Sequence, residues 1–365
     1  MQEKPKLLVL ELWGMGDLIF STPLLRKVTD AGYEVHLLAK EYARPLLQPT
    51  FPDIHFHSID IPWSRYRGKY RLWEWNWPEI LSILWRLRRE RFDFAVSVRN
   101  DPRDHFLMAL VGAKQRYGFP FQGSRVFLNR CVRRSHARRQ HKVEDWRDLG
   151  TAMELPEMAT TEPELAAGVY GTPRSRALLQ NRTKPVICLH TGARIAVRRW
   201  PAPYFEKIIG QLREEFDFEL LLIPDPDGYG SSLAPLADWT ANDLTLTELA
   251  DVLSQCDLLL CNDSGPAHLA AAFGRPAIPI FGPSEPQWFR PWGTVHKVII
   301  RDYCPWRPCF DYCPFPEPYC MTKLVPARVW PEIREHLHHL IAEGVLPDAM
   351  LNTLKPGVDA PCQPA

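Results

Sequence analysis

Three short stretches of the 365-residue chain place reactive residue types where a fold can display them. In "LWGMGDLIFSTPLLRKV", residues 12–28, one carboxylate, Asp17, stands behind a Gly-Met-Gly turn, between an apolar run and a helical pattern. Gly14 and Gly16 allow backbone angles that other residues resist and leave room for another group to approach. Thr22 and Pro23 read as an N-cap and a first helical residue, which leaves Asp17 in the loop itself, displayed toward a ligand. The same acid in that place also suits an Asx-turn or a helix cap. The spacing is not G-x-G-x-x-G, so no dinucleotide fingerprint is matched.

The second stretch, "LLLCNDSGPAHLAAAFGRPAIPIFGPSEP" at 258–286, puts Asp263, Ser264 and Gly265 between a strand-like run and a helix. Pro266 suits the first turn of that helix and Gly274 its C′ position. Free N–H groups at such a helix start bind anions, Ser264 can add a hydroxyl, and His268 lies one turn further in. The third, "HTGARIAVRRWP" at 190–201, brings Arg198 and Arg199 to another strand end, and guanidinium groups chelate phosphate oxygens. Together the two stretches read as a diphosphate site.

The elements that must position these residues alternate. "LLVLEL", "EVHLLA" and "FDFAVSV" are separated by helical patterns in the first half, and "VICLH", "FELLLIP", "DLLLC" and "AIPIF" in the second. Such alternation predicts α/β architecture: two doubly wound, Rossmann-like domains with parallel sheets facing a cleft, where ligands gather at the carboxyl ends of strands. The expected domains are 1–165 and 184–346, joined by a polar linker, with a Pro-rich, disordered tail at 347–365.

The net charge of +1 hides an asymmetry: residues 1–150 carry a balance of +9 and the remainder −8. A basic half suggests an anionic partner. Residues 61–85 interleave Trp63, Trp73, Trp75, Trp77 and Trp85 with Arg65, Arg67, Lys69 and Arg71, and "RRSHARRQHK" at 133–142 is densely basic. Aromatic and cationic residues side by side suit an anionic membrane surface, or tryptophans packed in a core beside a basic loop. No apolar run approaches the roughly 20 residues that span a bilayer, and the N-terminus lacks a signal-peptide cleavage pattern, so a cytoplasmic protein with reduced thiols is expected. Four of nine cysteines, Cys304, Cys309, Cys313 and Cys320, fall in "CPWRPCFDYCPFPEPYC". Four thiolates can hold zinc or iron in a closed structural site, although the spacing lacks a C-x₂-C knuckle; packed thiols in a proline-rich loop are the other reading.

Four segments, "GMGDLIFSTPLL", "HTGARIAVRRWP", "NDSGPAHLAAAFGRP" with "FGPSEP", and the late cysteine-rich stretch, together resemble the family 9 glycosyltransferases, the heptosyltransferases of lipopolysaccharide core assembly. The resemblance implies a GT-B type, inverting, metal-independent transferase. Its N-terminal domain would bind an anionic glycolipid acceptor at the inner face of the inner membrane, and its C-terminal domain a nucleotide-sugar donor, ADP-heptose; no nucleic-acid partner is expected. Asp17 matches the family's candidate general base. Arg198, Ser264 and Gly265 match groups facing the leaving diphosphate, Asp263 and His268 positions near diphosphate and sugar, and Thr191 and Gly192 the loop beside the phosphates. The family often has Lys at the position of Arg198 and Pro at that of Thr191, and its ribose-binding acid falls on Asp225 or Asp227. Transfer of another nucleotide-activated sugar to a different glycan or to a protein, or sugar-nucleotide binding without catalysis, are the alternatives.

Overall fold

The computed structural model describes residues 4–64, 71–135, 140–156, 162–310 and 312–351. Among the described residues, eleven strands form two sheets. The first contains β1 (Lys6–Glu11), β2 (Glu34–Ala39), β3 (His55–Ser58), β4 (Phe94–Ser97), β5 (Gln115–Gly118) and β6 (Arg130–Cys131), in the order β3-β2-β1-β4-β5-β6. The second contains β7 (Val186–His190), β8 (Glu219–Ile223), β9 (Trp239–Thr240), β10 (Leu258–Asn262) and β11 (Ala277–Ile280), in the order β11-β10-β7-β8-β9. Every pairing within these sheets is parallel.

The strand composition explains this. Leu7 to Glu11 of β1 are buried in succession, as are all five residues of β7 and of β10, because helices cover both faces of a parallel sheet. Strand order reverses at β1/β4 in one sheet and at β7/β10 in the other, and a crevice opens at each reversal, beyond the carboxyl ends. The chain leaves β1 into Gly14–Asp17, β7 into the 191–199 loop, and β10 into Asp263–Gly265. All three reactive stretches therefore sit at switch points.

The two units share apolar packing. Phe20, Leu24 and Leu25 from one belong to the same buried cluster as Ala267, Leu269 and Ala270 from the other. The backbone N–H of Leu165 donates to the Ala272 carbonyl (2.9 Å), and the His141 Nε2 lies 2.8 Å from the Arg290 carbonyl. The expected linker is not a bare tether: it contains the helix Pro173–Leu178, whose buried Ser175 hydroxyl donates to Asp251 (2.6 Å) on the helix Leu246–Gln255. Ordered chain also continues past Pro347. Met350 is fully buried and its carbonyl accepts from Asp217 N–H (2.8 Å), so the packed unit reaches Leu351 and only 352–365 of the expected tail fall outside the described residues. No helix among the described residues is long and apolar enough to cross a membrane.

Candidate active site

A cavity of about 910 Å³ lies between the two units, lined by Gly14, Gly16 and Asp17 on one side and Arg198, Asp263, Ser264, Gly265 and His268 on the other. Six of the eight expected site residues, Asp17, Arg198, Asp263, Ser264, Gly265 and His268, thus share one space with the glycine turn, and Thr191 and Gly192 do not line it.

Asp17 does not sit in a loop. Helix forms earlier than expected, as Met15–Phe20, with Gly14 as N-cap and Asp17 in its first turn. The break before Pro23 separates this helix from Thr22–Asp30, whose N-cap is Ser21; the Thr22 hydroxyl instead donates back to the Ile19 carbonyl (2.8 Å). One Asp17 oxygen accepts from Gly14 N–H at 3.4 Å, so the capping reading holds in part while the carboxyl still lines the cavity. Burial raises its pKa; Lys142, the Gly14 N–H and Arg99 act in the opposite direction. Glu11, at the end of β1, is 2% exposed, and burial first and the charge of Asp17 second push it up to about 8. Two neighbouring carboxyls at one strand end therefore hold a proton between them near neutral pH.

Close contacts across the cleft centre on two glycines. A Cβ on Gly16 would stand 2.4 Å from the Cδ2 of His268, and one on Gly265 would stand 2.2 Å from the Cε of Met15. Each unit's glycine receives a side chain from the other. The His268 ring also meets Phe20 edge-on, with centroids 4.7 Å apart, and burial lowers its pKa to about 3, which keeps it neutral.

The helix Gly265–Ala272 starts at N-cap Ser264, whose hydroxyl does not cap it but donates to the Asn262 carbonyl (3.1 Å). Pro266 carries no N–H, so the Gly265 amide is the donor this helix start presents to the cavity. Asp263 accepts from the Ser284 hydroxyl and pairs with Arg198 (3.4 Å). A carboxylate would repel a diphosphate; here it holds the guanidinium that would attract one.

The structure separates the two adjacent arginines. Arg199 turns away from the cavity, with Nη2 on Asp225 (2.5 Å), Nη1 on Asp227 (2.7 Å), Nε on the Ala193 carbonyl (3.1 Å), and its guanidinium over the Tyr229 ring. Of the two arginines, Arg198 lines the cavity and Arg199 does not. Arg199 also engages both candidate ribose acids, neither of which lines the cavity. Thr191 is buried, with its hydroxyl on the Tyr229 carbonyl (3.1 Å) and its own carbonyl accepting from Asn262 (2.7 Å). Gly192 packs so closely on Asp225 that a Cβ would come within 2.8 Å of that carboxyl carbon. Thr191 and Gly192 shape the loop from behind rather than face the cavity.

Sequence reasoning missed Lys40, Lys142 and Arg194, which line the same space, and the aromatic wall of Trp288, Phe289 and Phe310. Lys40 directly follows β2, so the strand-end rule applied to that strand would have found it.

The four late cysteines lie near one another: Cys304, Cys309 and Cys313 help raise the pKa of Cys320, after burial. No three of their sulfurs come within 4.8 Å of one another, so they are neighbours without being drawn to one point. Trp63 and Trp75 pack in or against the first unit's core, whereas Trp73, Trp77 and Trp85 are exposed. Arg65, Arg67 and Lys69 lie outside the described residues, as do 136–139 of the basic run.

The model of a family described as glycosyltransferase family 9 (heptosyltransferase) matches residues 80–317. Lipooligosaccharide heptosyltransferase 2 of Campylobacter jejuni is 26% identical over 42% of this chain and 51% of its own, so the chain spans about half the length of that relative. Lipooligosaccharide heptosyltransferase 2 of Haemophilus influenzae is 24% identical over 78% of this chain and 85% of its own. The solved ADP-heptose lipopolysaccharide heptosyltransferase II of E. coli shares the fold, with a TM-score of 0.67 at 20% identity over 92% of this chain and 99% of that one.

Proposed function

Because the chain belongs to glycosyltransferase family 9, the heptosyltransferases, we propose that it moves a heptose from ADP-heptose to a sugar hydroxyl of a lipopolysaccharide inner-core acceptor, with inversion. One observation carries this reading: Asp17, from the β1 switch point, and Arg198, from the β7 switch point, line one cavity. A single displacement needs a base on the acceptor side and positive charge on the leaving-group side.

In the proposed step the Asp17 carboxylate takes the proton of the acceptor hydroxyl as that oxygen attacks the anomeric carbon. The new C–O bond forms on one face while the bond to the β-phosphate oxygen breaks on the other, and ADP leaves with the electron pair. Arg198, aimed by Asp263, and the Gly265 amide receive the charge that develops on the diphosphate. The Gly16–His268 and Gly265–Met15 contacts fix the distance between base and cation. The acceptor enters on the side of residues 1–165 and the donor is held by residues 184–346. Lys40, Lys142 and Arg194 favour an acceptor bearing anionic groups.

Access to a glycolipid follows from the helix Trp77–Glu90. Trp77, Leu81 and Trp85 are exposed and recur every four residues, one stripe of that helix, with Arg86 and Arg89 exposed beside them. Such a stripe suits peripheral docking on an anionic membrane, at the cytoplasmic face where ADP-heptose is available. Cys304, Cys309, Cys313 and Cys320 would hold a structural zinc or iron if their loop tightened around it, away from the displacement itself.

Thermal melting with ADP-heptose, UDP-glucose and NAD tests the donor class. A ligand that binds only the folded state raises its stability, by about 2.7 kcal/mol at a concentration of 100 Kd. Stabilisation by ADP-heptose is expected, followed by ADP release when a deacylated inner-core acceptor is added. Stabilisation by NAD alone would overturn the reading.

A further inference from the structure

At the amino ends of β1, β2 and β3, away from the cavity that holds Asp17, a second group of polar side chains converges. Glu34 and His36 of β2 and His55 of β3 each offer one ligand atom, and the three atoms lie within 4.8 Å of one another. The register makes this a property of the sheet: His36 pairs directly with His55 across the strands, and Glu34, two residues before His36, projects to the same face. We propose that Glu34, His36 and His55 form a binding site for a divalent transition-metal ion such as Zn²⁺, with water completing the shell.

Three features argue for an ion over a simple hydrogen-bonded cluster. The donor set, two imidazoles and a carboxylate, is one that zinc accepts, and its spread needs side-chain movements of only about 1 Å to reach zinc–ligand distances near 2 Å. The orienting contact is already present. His36 Nε2 faces Glu34 Oε1 at 3.1 Å, and its other nitrogen, Nδ1, lies 2.9 Å from His57 Nε2. A metal-bound histidine characteristically has its second ring nitrogen held in this way. In the metal-bound form the single proton of neutral His36 would sit on Nδ1, which donates to His57 Nε2, leaving the Nε2 lone pair for the ion. The ring is also wedged edge-on against Phe92, with centroids 4.9 Å apart, which limits its rotation.

Local charge favours a cation as well. Glu34 and Glu90 face the cluster with one ammonium, Lys6, between them, at 3.1 Å and 2.8 Å. Lys6 and His36 both engage Oε1 of Glu34, so the second oxygen can turn to the ion while Lys6 keeps its bond to Glu90. The position defines the consequence: β3 is a four-residue edge strand, and an ion shared by β2 and β3 would staple it to the sheet.

The test uses untagged full-length protein stripped of metal, titrated with Co²⁺ and then Zn²⁺, with visible absorption, elemental analysis and melting temperature as readouts. One equivalent of Co²⁺ should bind with weak d–d bands and without the intense near-ultraviolet thiolate charge transfer that the cysteine loop would produce, and this signal should survive Cys309→Ser. His55→Ala, at an exposed position that leaves the core intact, should weaken binding by roughly 10–100-fold or more and abolish the Zn²⁺-dependent rise in melting temperature. Equal affinity in wild type and His55→Ala, binding that disappears with Cys309→Ser, or no binding at all would overturn the proposal. His36→Gln gives the buried counterpart; its melting curve without metal shows whether the variant folds.

Discussion

Gly16 and His268 meet across the two halves of the molecule: the position a Cβ would take on the glycine lies 2.4 Å from the histidine ring. The glycine of the first strand-to-helix turn is thus a socket for a side chain of the other unit, and the acid one residue later is carried to the cleft by that fit.

Gly16→Ala should therefore misalign the cleft more than it disturbs either sheet. Overpacking typically costs about 1–3 kcal/mol, and the sugar-transfer rate should fall further than the melting temperature suggests. Adding His268→Ala should restore part of the rate. A double variant no better than Gly16→Ala would locate the damage elsewhere.

Glu11 links stability to pH. The folded protein retains its proton up to about pH 8, whereas the unfolded chain releases it near the ordinary 4.5. Its contribution is fully present below about 4.5 and is lost as pH rises through 8, because ionisation then favours the unfolded state. Glu11→Gln should flatten that part of the stability curve, raising the melting temperature at pH 8.5 relative to wild type and changing it little at pH 5. Parallel curves across that range would contradict a protonated Glu11.

The adjacent arginines should part in their effects. Arg198→Ala should weaken ADP-heptose binding by roughly 1.5–3 kcal/mol, as expected for charge-assisted bonds, with little change in stability. Arg199→Ala should instead lower stability, by roughly 1–3 kcal/mol for loss of the partly buried, charge-assisted bond to Asp225. Calorimetric titration and urea unfolding of both variants separate the two roles; equal loss of donor affinity would return Arg199 to the phosphate site.

Membrane docking is read out by sedimentation with vesicles. Trp77→Asp with Trp85→Asp should reduce binding to phosphatidylglycerol-containing liposomes at low salt by about tenfold or more, near 1.4 kcal/mol, while soluble-acceptor turnover persists. Wild-type protein that stays in the supernatant would show that this helix is not a docking surface.

Much of this architecture was legible because buried parallel strands write themselves as apolar runs, and "KLLVLE", "VICLH" and "LLLCN" all became strands. The reactive turns at their ends were legible for the same reason. What sequence spacing misjudged were matters of direction and partner. Arg198 and Arg199 are neighbours in sequence, but the chain bends out of the short 3₁₀ turn Ala196–Arg198, and only the first reaches the cavity. Asp17 was expected in a loop because Thr22-Pro23 looks like a helix start; it is one, yet a separate short helix precedes it. Glu11 carried no motif, since its importance arises from burial and from the neighbouring charge of Asp17.

Asp17→Asn removes the base with almost no change in volume. With ADP-heptose and a deacylated inner-core acceptor, the variant should bind the donor with wild-type affinity while kcat falls by about 10²–10⁴-fold, the range for loss of a positioned general base. Transfer at close to the wild-type rate, with the donor bound normally, would show that Asp17 is not the base.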